Sequence, residues 1–263
     1  MNFPAGFTAN PETVEVDTSR RRFVTGAAGA MVSLSTGVML MNMSSANAAT
    51  AATGADARKR WGLLIDTNKC ADGCTDCVSA CQDENGWGTG STDEANSRDE
   101  QKAQWIRKVT VKDKQSGHSM ELPMMCQHCE NPPCVDVCPT NASMKRPDGI
   151  VQVDKHRCIG CRYCMMACPY KARSFVHEAL HDQRAHAPRG KGTVESCNLC
   201  AHRVDRGQIP ACVERCTKEN HNAMLFGDLN DPNSAISVAM KQHGGTEIRA
   251  DLGLNLGVRY QGI

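Results

Sequence analysis

The chain has 263 residues, a formal net charge of +1, 22% charged residues and 40% hydrophobic ones. A charge so near zero excludes a strongly basic nucleic-acid binder, and a single long apolar stretch excludes a polytopic membrane protein. Aromatic residues make up only 4%, too few to supply the bulk of a core, so the sixteen cysteines must supply order as disulfides or as metal ligands.

In chain order, the first element is an address. Ser19-Arg20-Arg21-Arg22-Phe23-Val24 precedes a mild apolar run to Met43, and Ala46-Asn47-Ala48 closes it. A twin arginine, an apolar run and a small-x-small site read as a bacterial Tat export signal over 1–48. The alternatives are a basic cluster flanking an ordinary helix and an uncleaved anchor. Export alone favours disulfides, because the periplasm is oxidising. The Tat route carries folded proteins, commonly with a cofactor in place, which favours occupied metal ligands instead.

The mature chain then alternates short elements with cysteine groups. Trp61 to Asp66 reads as a strand. Cys70, Cys74, Cys77 and Cys81 follow, spaced C-x3-C-x2-C-x3-C, with a helix expected over Val78 to Glu84. Asn85 to Gln104 is a polar excursion. Strands are expected at Ile106 to Lys112 and His118 to Leu122. The second group is Cys126, Cys129, Cys134 and Cys138, spaced C-x2-C-x4-C-x3-C, with Pro139 next. A strand at Gly149 to Asp154 leads to Cys158, Cys161, Cys164 and Cys168, spaced C-x2-C-x2-C-x3-C, with Pro169 next and a short helix at Met165 to Ala167. A second excursion spans Arg173 to Ser196. The last group is Cys197, Cys200, Cys212 and Cys216, spaced C-x2-C-x11-C-x3-C, and a strand follows at Ala223 to Gly227. A helix to His243 is expected, capped by Asp231, with Pro232 in its first turn and Gly244 at its end.

The third group has the bacterial ferredoxin spacing for a [4Fe–4S] cluster. Three cysteines on a tight loop wrap three corners of a cubane. The fourth, displaced into the following segment, ligates the neighbouring cluster. A lone C-x2-C suggests zinc as readily; the full third-group spacing is far more specific, with zinc ribbons and a pure disulfide scaffold as the alternatives. Leu64-Ile65-Asp66-Thr67-Asn68-Lys69-Cys70 matches Gln152-Val153-Asp154-Lys155-His156-Arg157-Cys158, and Pro133-Cys134-Val135-Asp136-Val137-Cys138 matches Pro210-Ala211-Cys212-Val213-Glu214-Arg215-Cys216. The groups therefore run A-B-A-B, and each type exchanges its fourth cysteine with the other. Cluster 1 takes Cys158, Cys161, Cys164 and Cys138. Cluster 2 takes Cys126, Cys129, Cys134 and Cys168. Cluster 3 takes Cys70, Cys74, Cys77 and Cys216. Cluster 4 takes Cys197, Cys200, Cys212 and Cys81. The extra residue in Ala71-Asp72-Gly73 and the gap of eleven are departures that bear on cluster stability or potential.

The expected fold is α+β, with two ferredoxin-like dicluster modules of βαβ type and long loop excursions. The expected domains are the signal at 1–48, a four-cluster domain at 49–228, and a C-terminal helix and tail at 229–263 for partner docking. Outer motifs lie at 70–81 and 197–216, inner ones at 126–138 and 158–168. The excursions are either solvated loops or partner contacts. His128, His156 and His202 lie near ligands and tune a cluster, shield it or pack; none is taken as an iron ligand. Arg157, Arg162, Lys171 and Arg173 border the third group, either as solvated surface or as charges that raise a cluster potential.

Four such motifs in this order resemble the four-cluster ferredoxin-like electron-transfer subunits of respiratory complexes, the DmsB/NrfC/PsrB type, over Trp61 to Gly227. The run from Arg157 through Cys168-Pro169-Tyr170-Lys171-Ala172-Arg173-Ser174-Phe175 resembles the DsrO family of periplasmic subunits of DsrMKJOP membrane complexes. So do Phe226-Gly227-Asp228-Leu229-Asn230-Asp231-Pro232-Asn233-Ser234 and Gly257-Val258-Arg259-Tyr260-Gln261-Gly262, together with the Tat signal. That resemblance implies electron relay between an integral membrane, quinone-reactive NrfD-type subunit and a multihaem cytochrome c in dissimilatory sulfur metabolism. It implies a periplasmic location, membrane association through partners and no nucleic-acid partner. The same motifs occur in subunits of nitrite, polysulfide and tetrathionate reductases and of periplasmic molybdoenzymes. A reductase in its own right needs an open iron site or a further cofactor. All sixteen cysteines are consumed as ligands, and no Gly-rich dinucleotide fingerprint precedes a helix, so no substrate site is expected.

Overall fold

The computed structural model describes residues 54–88, 97–98, 101–112, 114–115, 117, 119–181 and 183–263. The export signal expected over 1–48 and His118 lie outside them, as does part of the first excursion. Residues from Thr50 onward form one compact unit.

Strand β1 (Trp61–Asp66) is the apolar run WGLLID, and its four central residues are buried. Such a run fits a strand covered on both faces. Helix α1 (Asp76–Asn85) follows, starting one residue before Cys77 rather than after it. Strands β2 (Ile106–Lys112) and β3 (Ser119–Met125) form an antiparallel hairpin in which Lys108 faces Pro123 and Ile106 faces Met125. Helix α2 (Pro133–Asp136) is a single turn begun by proline, whose missing N–H costs nothing there. Strands β4 (Ser143–Lys145) and β5 (Val151–Val153) pair next, β5 being shorter than the expected strand.

Helix α3 (Tyr163–Ala167) ends immediately before Cys168. The second excursion closes on itself through β6 (Ser174–Phe175) and β7 (Val194–Glu195). It is no plain solvated loop, because Arg189 and Glu195 are buried within it as a bidentate ion pair at 2.9 Å. Helices α4 (Ala201–Val204) and α5 (Ala211–Lys218) carry the last motif, and α5 packs on α1. Strand β8 (Met224–Asp228) pairs antiparallel with β1.

Helix α6 (Ala235–His243) begins later than Asp231-Pro232 suggested. Its cap is Ser234, whose hydroxyl accepts the Ser237 N–H, while Asp231 instead accepts the Asn233 N–H in the preceding turn. Gly244 ends the helix. Strand β9 (Val258–Gln261) lies parallel to β1, giving the order β8-β1-β9. Residues 254–261, expected within a docking tail, are thus built into the core. Leu256, Val258 and Tyr260 are fully buried, and the Tyr260 hydroxyl donates to the Pro123 carbonyl. Each strand set is small, and cysteines stand among the aliphatic residues of one continuous buried cluster.

Candidate iron–sulfur sites

The ligand loops turn sharply, and each turn uses left-handed backbone. Positive φ occurs at Gly73, His128, Gly160, Arg162, Leu199 and Cys200, within or beside the ligand spacings. Such conformations aim successive N–H groups into a concave anion cradle and cost non-glycine residues about 1 kcal/mol or more each. Gly160 is required for a second reason: a Cβ there would collide with the Gly192 carbonyl oxygen.

The loops and helices gather the cysteines in fours. Cys70, Cys74, Cys77 and Cys216 line one cavity, beside Lys108 and His221. Cys138, Cys158, Cys161 and Cys164 line another, beside Val194. Cys81, Cys197, Cys200 and Cys212 are mutually close enough that negative charge on one raises the others' pKa. The same holds for Cys134 and Cys168 towards Cys126 and Cys129. The geometry of α1 and α5 explains the exchange between motifs. Each carries two cysteines four residues apart, hence on one face. Cys77 lies by Cys216 and Cys81 by Cys212, so the two helices run in opposite senses.

Neighbouring sets also feel one another. Cys77 acts on Cys212, Cys126 on Cys197, and Cys164 on Cys134. The sets are therefore strung in one order, from Cys70/Cys74/Cys77/Cys216 to Cys138/Cys158/Cys161/Cys164. The two middle sets are wholly buried. At one end Cys70 and Cys74 are half-buried, and at the other Cys161 is exposed. Around Cys161 stand Ile159, 68% exposed, Tyr163, and Met166, 77% exposed.

The chemistry of the donors fits thiolates holding an anionic cluster. Lys108 Nζ donates to Cys70 Sγ at 2.9 Å, Trp87 Nε1 to Cys81 Sγ at 3.2 Å, and an Arg173 guanidinium nitrogen to Cys134 Sγ at 3.1 Å. Asn85 Nδ2 reaches Cys81 Sγ at 3.5 Å and Cys200 Sγ at 3.9 Å. Backbone N–H groups of Ser143, Val194, Leu199 and Ala223 donate to Cys138, Cys158, Cys197 and Cys216. Hydrogen bonds to cluster sulfur are a main lever on its potential. Without metal, burial pushes the thiols of Cys77, Cys126 and Cys129 up to about 12. Loading iron into these sites therefore releases protons.

The sequence-flanking groups divide. Arg173 is not solvated surface but 5% exposed. Arg157 donates to the Thr140 carbonyl at the surface, and Arg162 lies over the Phe175 ring at 4.8 Å. His128 is buried, and burial, helped by Arg173, brings its pKa down to about 3. Its Nδ1 accepts the Val151 N–H at 3.0 Å, so the neutral ring carries its proton on Nε2. His202 pairs with Glu84 at 2.7 Å, and His156 is exposed. Trp87, Asn85 and Lys108 are sulfur contacts that the motifs alone did not mark. Trp87 in Asn85-Gly86-Trp87 is a rare aromatic directly after a ligand helix, which was the available signal.

These features define a multi-cluster, ferredoxin-like electron carrier. Two models described as 4Fe-4S dicluster domain match it, over residues 69–142 and 118–229. With sixteen cysteines in ferredoxin-like motifs, the cofactor complement is four [4Fe–4S] clusters. The chain is 39% identical to the Hdr-like menaquinol oxidoreductase iron-sulfur subunit 1 of Archaeoglobus fulgidus, covering 92% of this chain and 97% of that one. It is 37% identical to the NrfC homolog of Haemophilus influenzae, covering 89% and 91%, and 38% identical to a tetrathionate reductase subunit of Salmonella typhimurium, covering 71% and 65%. The chain belongs to this family of iron–sulfur electron-transfer subunits of membrane-associated oxidoreductase complexes. Among the described residues no helix is long and apolar enough to cross a membrane.

Proposed function

We propose that the chain is a periplasmic electron wire, exported with its clusters by the Tat signal at 1–48. In this reading the sixteen cysteines hold the clusters in the four sets named above. Clusters held there would supply one-electron transfer from site to site. The protein's own part is to hold spacing, exclude water and set potential through N–H···S contacts. The observation that carries the reading is the gathering of every cysteine into sets of four with N–H donors aimed at their sulfurs. The chain of sets, buried in the middle and reaching the surface at its ends, supports entry at one end and exit at the other. The exposed Ile159, Tyr163 and Met166 beside Cys161 support docking of a redox partner there.

The partners proposed are an integral NrfD-type subunit that reacts with quinone and a multihaem cytochrome c, in the manner of DsrO. Similarity along nearly the whole chain to a menaquinol oxidoreductase subunit supports a quinone-linked complex. The substrate chemistry lies in partners, and the chain has no substrate site of its own. A second reading, the electron-transfer subunit of a molybdoenzyme, is favoured by the similarity to the tetrathionate reductase subunit. Co-purification separates the two: haem supports the first and molybdopterin the second.

The wire is tested on anaerobically isolated native protein. About sixteen irons per chain and [4Fe–4S] EPR signals on dithionite reduction are expected, and zinc without labile sulfide rejects it. Cys161→Ser is expected to remove or convert one cluster, and unchanged iron and EPR would reject that ligand assignment.

A further inference from the structure

Arg173 is an unusual cation. Only 5% of its surface is exposed. One guanidinium nitrogen donates to Cys134 Sγ at 3.1 Å, and the guanidinium is close enough to Cys164 for its charge to favour that thiolate as well. Its Nε and the other terminal nitrogen are buried with no partner among the described residues. No carboxylate there forms an ion pair with it; the buried carboxylate of this region, Glu195, is held by Nε and one terminal nitrogen of Arg189. Guanidinium does not shed its proton, and an uncompensated buried charge costs several kcal/mol. The counter-charge must come from what the cysteines hold. Cys134 and Cys164 belong to different sets of four.

We propose that Arg173 is an electrostatic strap between the two inner clusters, the shared counter-ion of both, holding their potentials up together. This rests on the four-cluster reading above. A [4Fe–4S]2+ cluster with four thiolates carries about −2, and reduction adds one more negative charge. A fixed cation between two such groups favours the reduced form of each. When one electron leaves the first cluster and enters the second, the cation stays beside both, so the negative charge never leaves its reach. No proton need move with the electron. Burial also removes the strap from ionic screening, which surface charges such as Arg157 cannot escape.

The test uses full-length holoprotein and EPR-monitored redox titration. Wild-type iron content and four reducible clusters come first; their failure removes the four-cluster reading, whatever Arg173 does. In Arg173→Met and Arg173→Gln, two of the four clusters should move to lower potential, each by at least tenfold in its reduced-to-oxidised ratio at fixed ambient potential, which is about 59 mV for a one-electron couple. The other two should stay in place. Arg173→Lys should recover much of the shift, and the shift should persist at high salt. Full iron with unmoved potentials in the neutral variants overturns the strap. If the neutral variants lose iron, Arg173→Lys decides: restored iron with near-native potentials supports the strap, and iron loss in Arg173→Lys as well makes the residue purely structural and overturns it.

Discussion

The inner and outer halves solve the same chemical problem with different parts. Backbone N–H groups serve both: Cys138 and Cys158 of the inner half receive them from Ser143 and Val194, and Cys197 and Cys216 of the outer half from Leu199 and Ala223. One side chain, Arg173, reaches a sulfur of the inner half without a carboxylate partner. In the outer half the spacings are irregular; Lys108, Asn85 and Trp87 donate to sulfur, and His221 Nε2 lies 3.6 Å from Cys74 Sγ. The outer cation is also neutralised, because Lys108, with its side chain 11% exposed, pairs with Glu121 at 3.1 Å. The contrast teaches that both halves draw equally on backbone donors and differ in the side chains they add: a guanidinium without a carboxylate partner inside, a neutralised lysine with amide and indole donors outside. The inner half therefore leans on one charge that no carboxylate neutralises, and the outer half on several weaker contacts.

The bluntest way to break the comparison is to remove the iron. With so few aromatics and a core shared between aliphatics and cysteines, both halves should lose order together. Anaerobic chelation followed by circular dichroism should show one loss of structure; two separate transitions would make the halves independent modules. Next in size is Arg189→Met, which leaves Glu195 buried without its partner. A loss of about 3–5 kcal/mol in denaturant unfolding of the holoprotein is expected, from a substitution that also frees the Gly86 carbonyl at the end of α1. Lys108→Met should lower the potential of one outer cluster by tenfold or less, about 59 mV at most. Unlike an Arg173 variant, its effect should shrink in salt, because the lysine is reached by solvent. Smallest is Trp87→Phe, which keeps the ring and deletes one donor to Cys81. Iron content should hold while one outer signal moves slightly down in redox titration; an unmoved signal would make Trp87 a packing residue only.

Much of this was legible because ligand chemistry imposes strict spacing. The cysteine groups and the run Leu63-Leu64-Ile65 announced themselves, one by its period and the other by its continuous apolarity. What escaped was set by distant parts of the chain. Strands β6 and β7 have two residues each, too short for any alternation to register. Arg173 sits among Arg157, Arg162 and Lys171 in sequence, and nothing local marks it as the one that is folded under. Asp231-Pro232-Asn233-Ser234 offers two good caps, and the choice of Ser234 over Asp231 depends on its hydroxyl also reaching the Asp228 carbonyl on β8. The C-terminal segment looked like an appendage because its partner strand, β1, stands at the opposite end of the described residues.

That last pairing has a consequence for biogenesis. β9 seats its neighbour Gly257 against the carbonyls of Gln127 and His128, inside a ligand loop, and completes the sheet that β1 begins. Until β9 is in place, the Gln127 and His128 carbonyls lack the Gly257 donor. The fold thereby proofreads its own completion: a product cut before Val258 leaves β1 paired with β8 alone and the middle of the molecule ajar at the very loop that carries ligands.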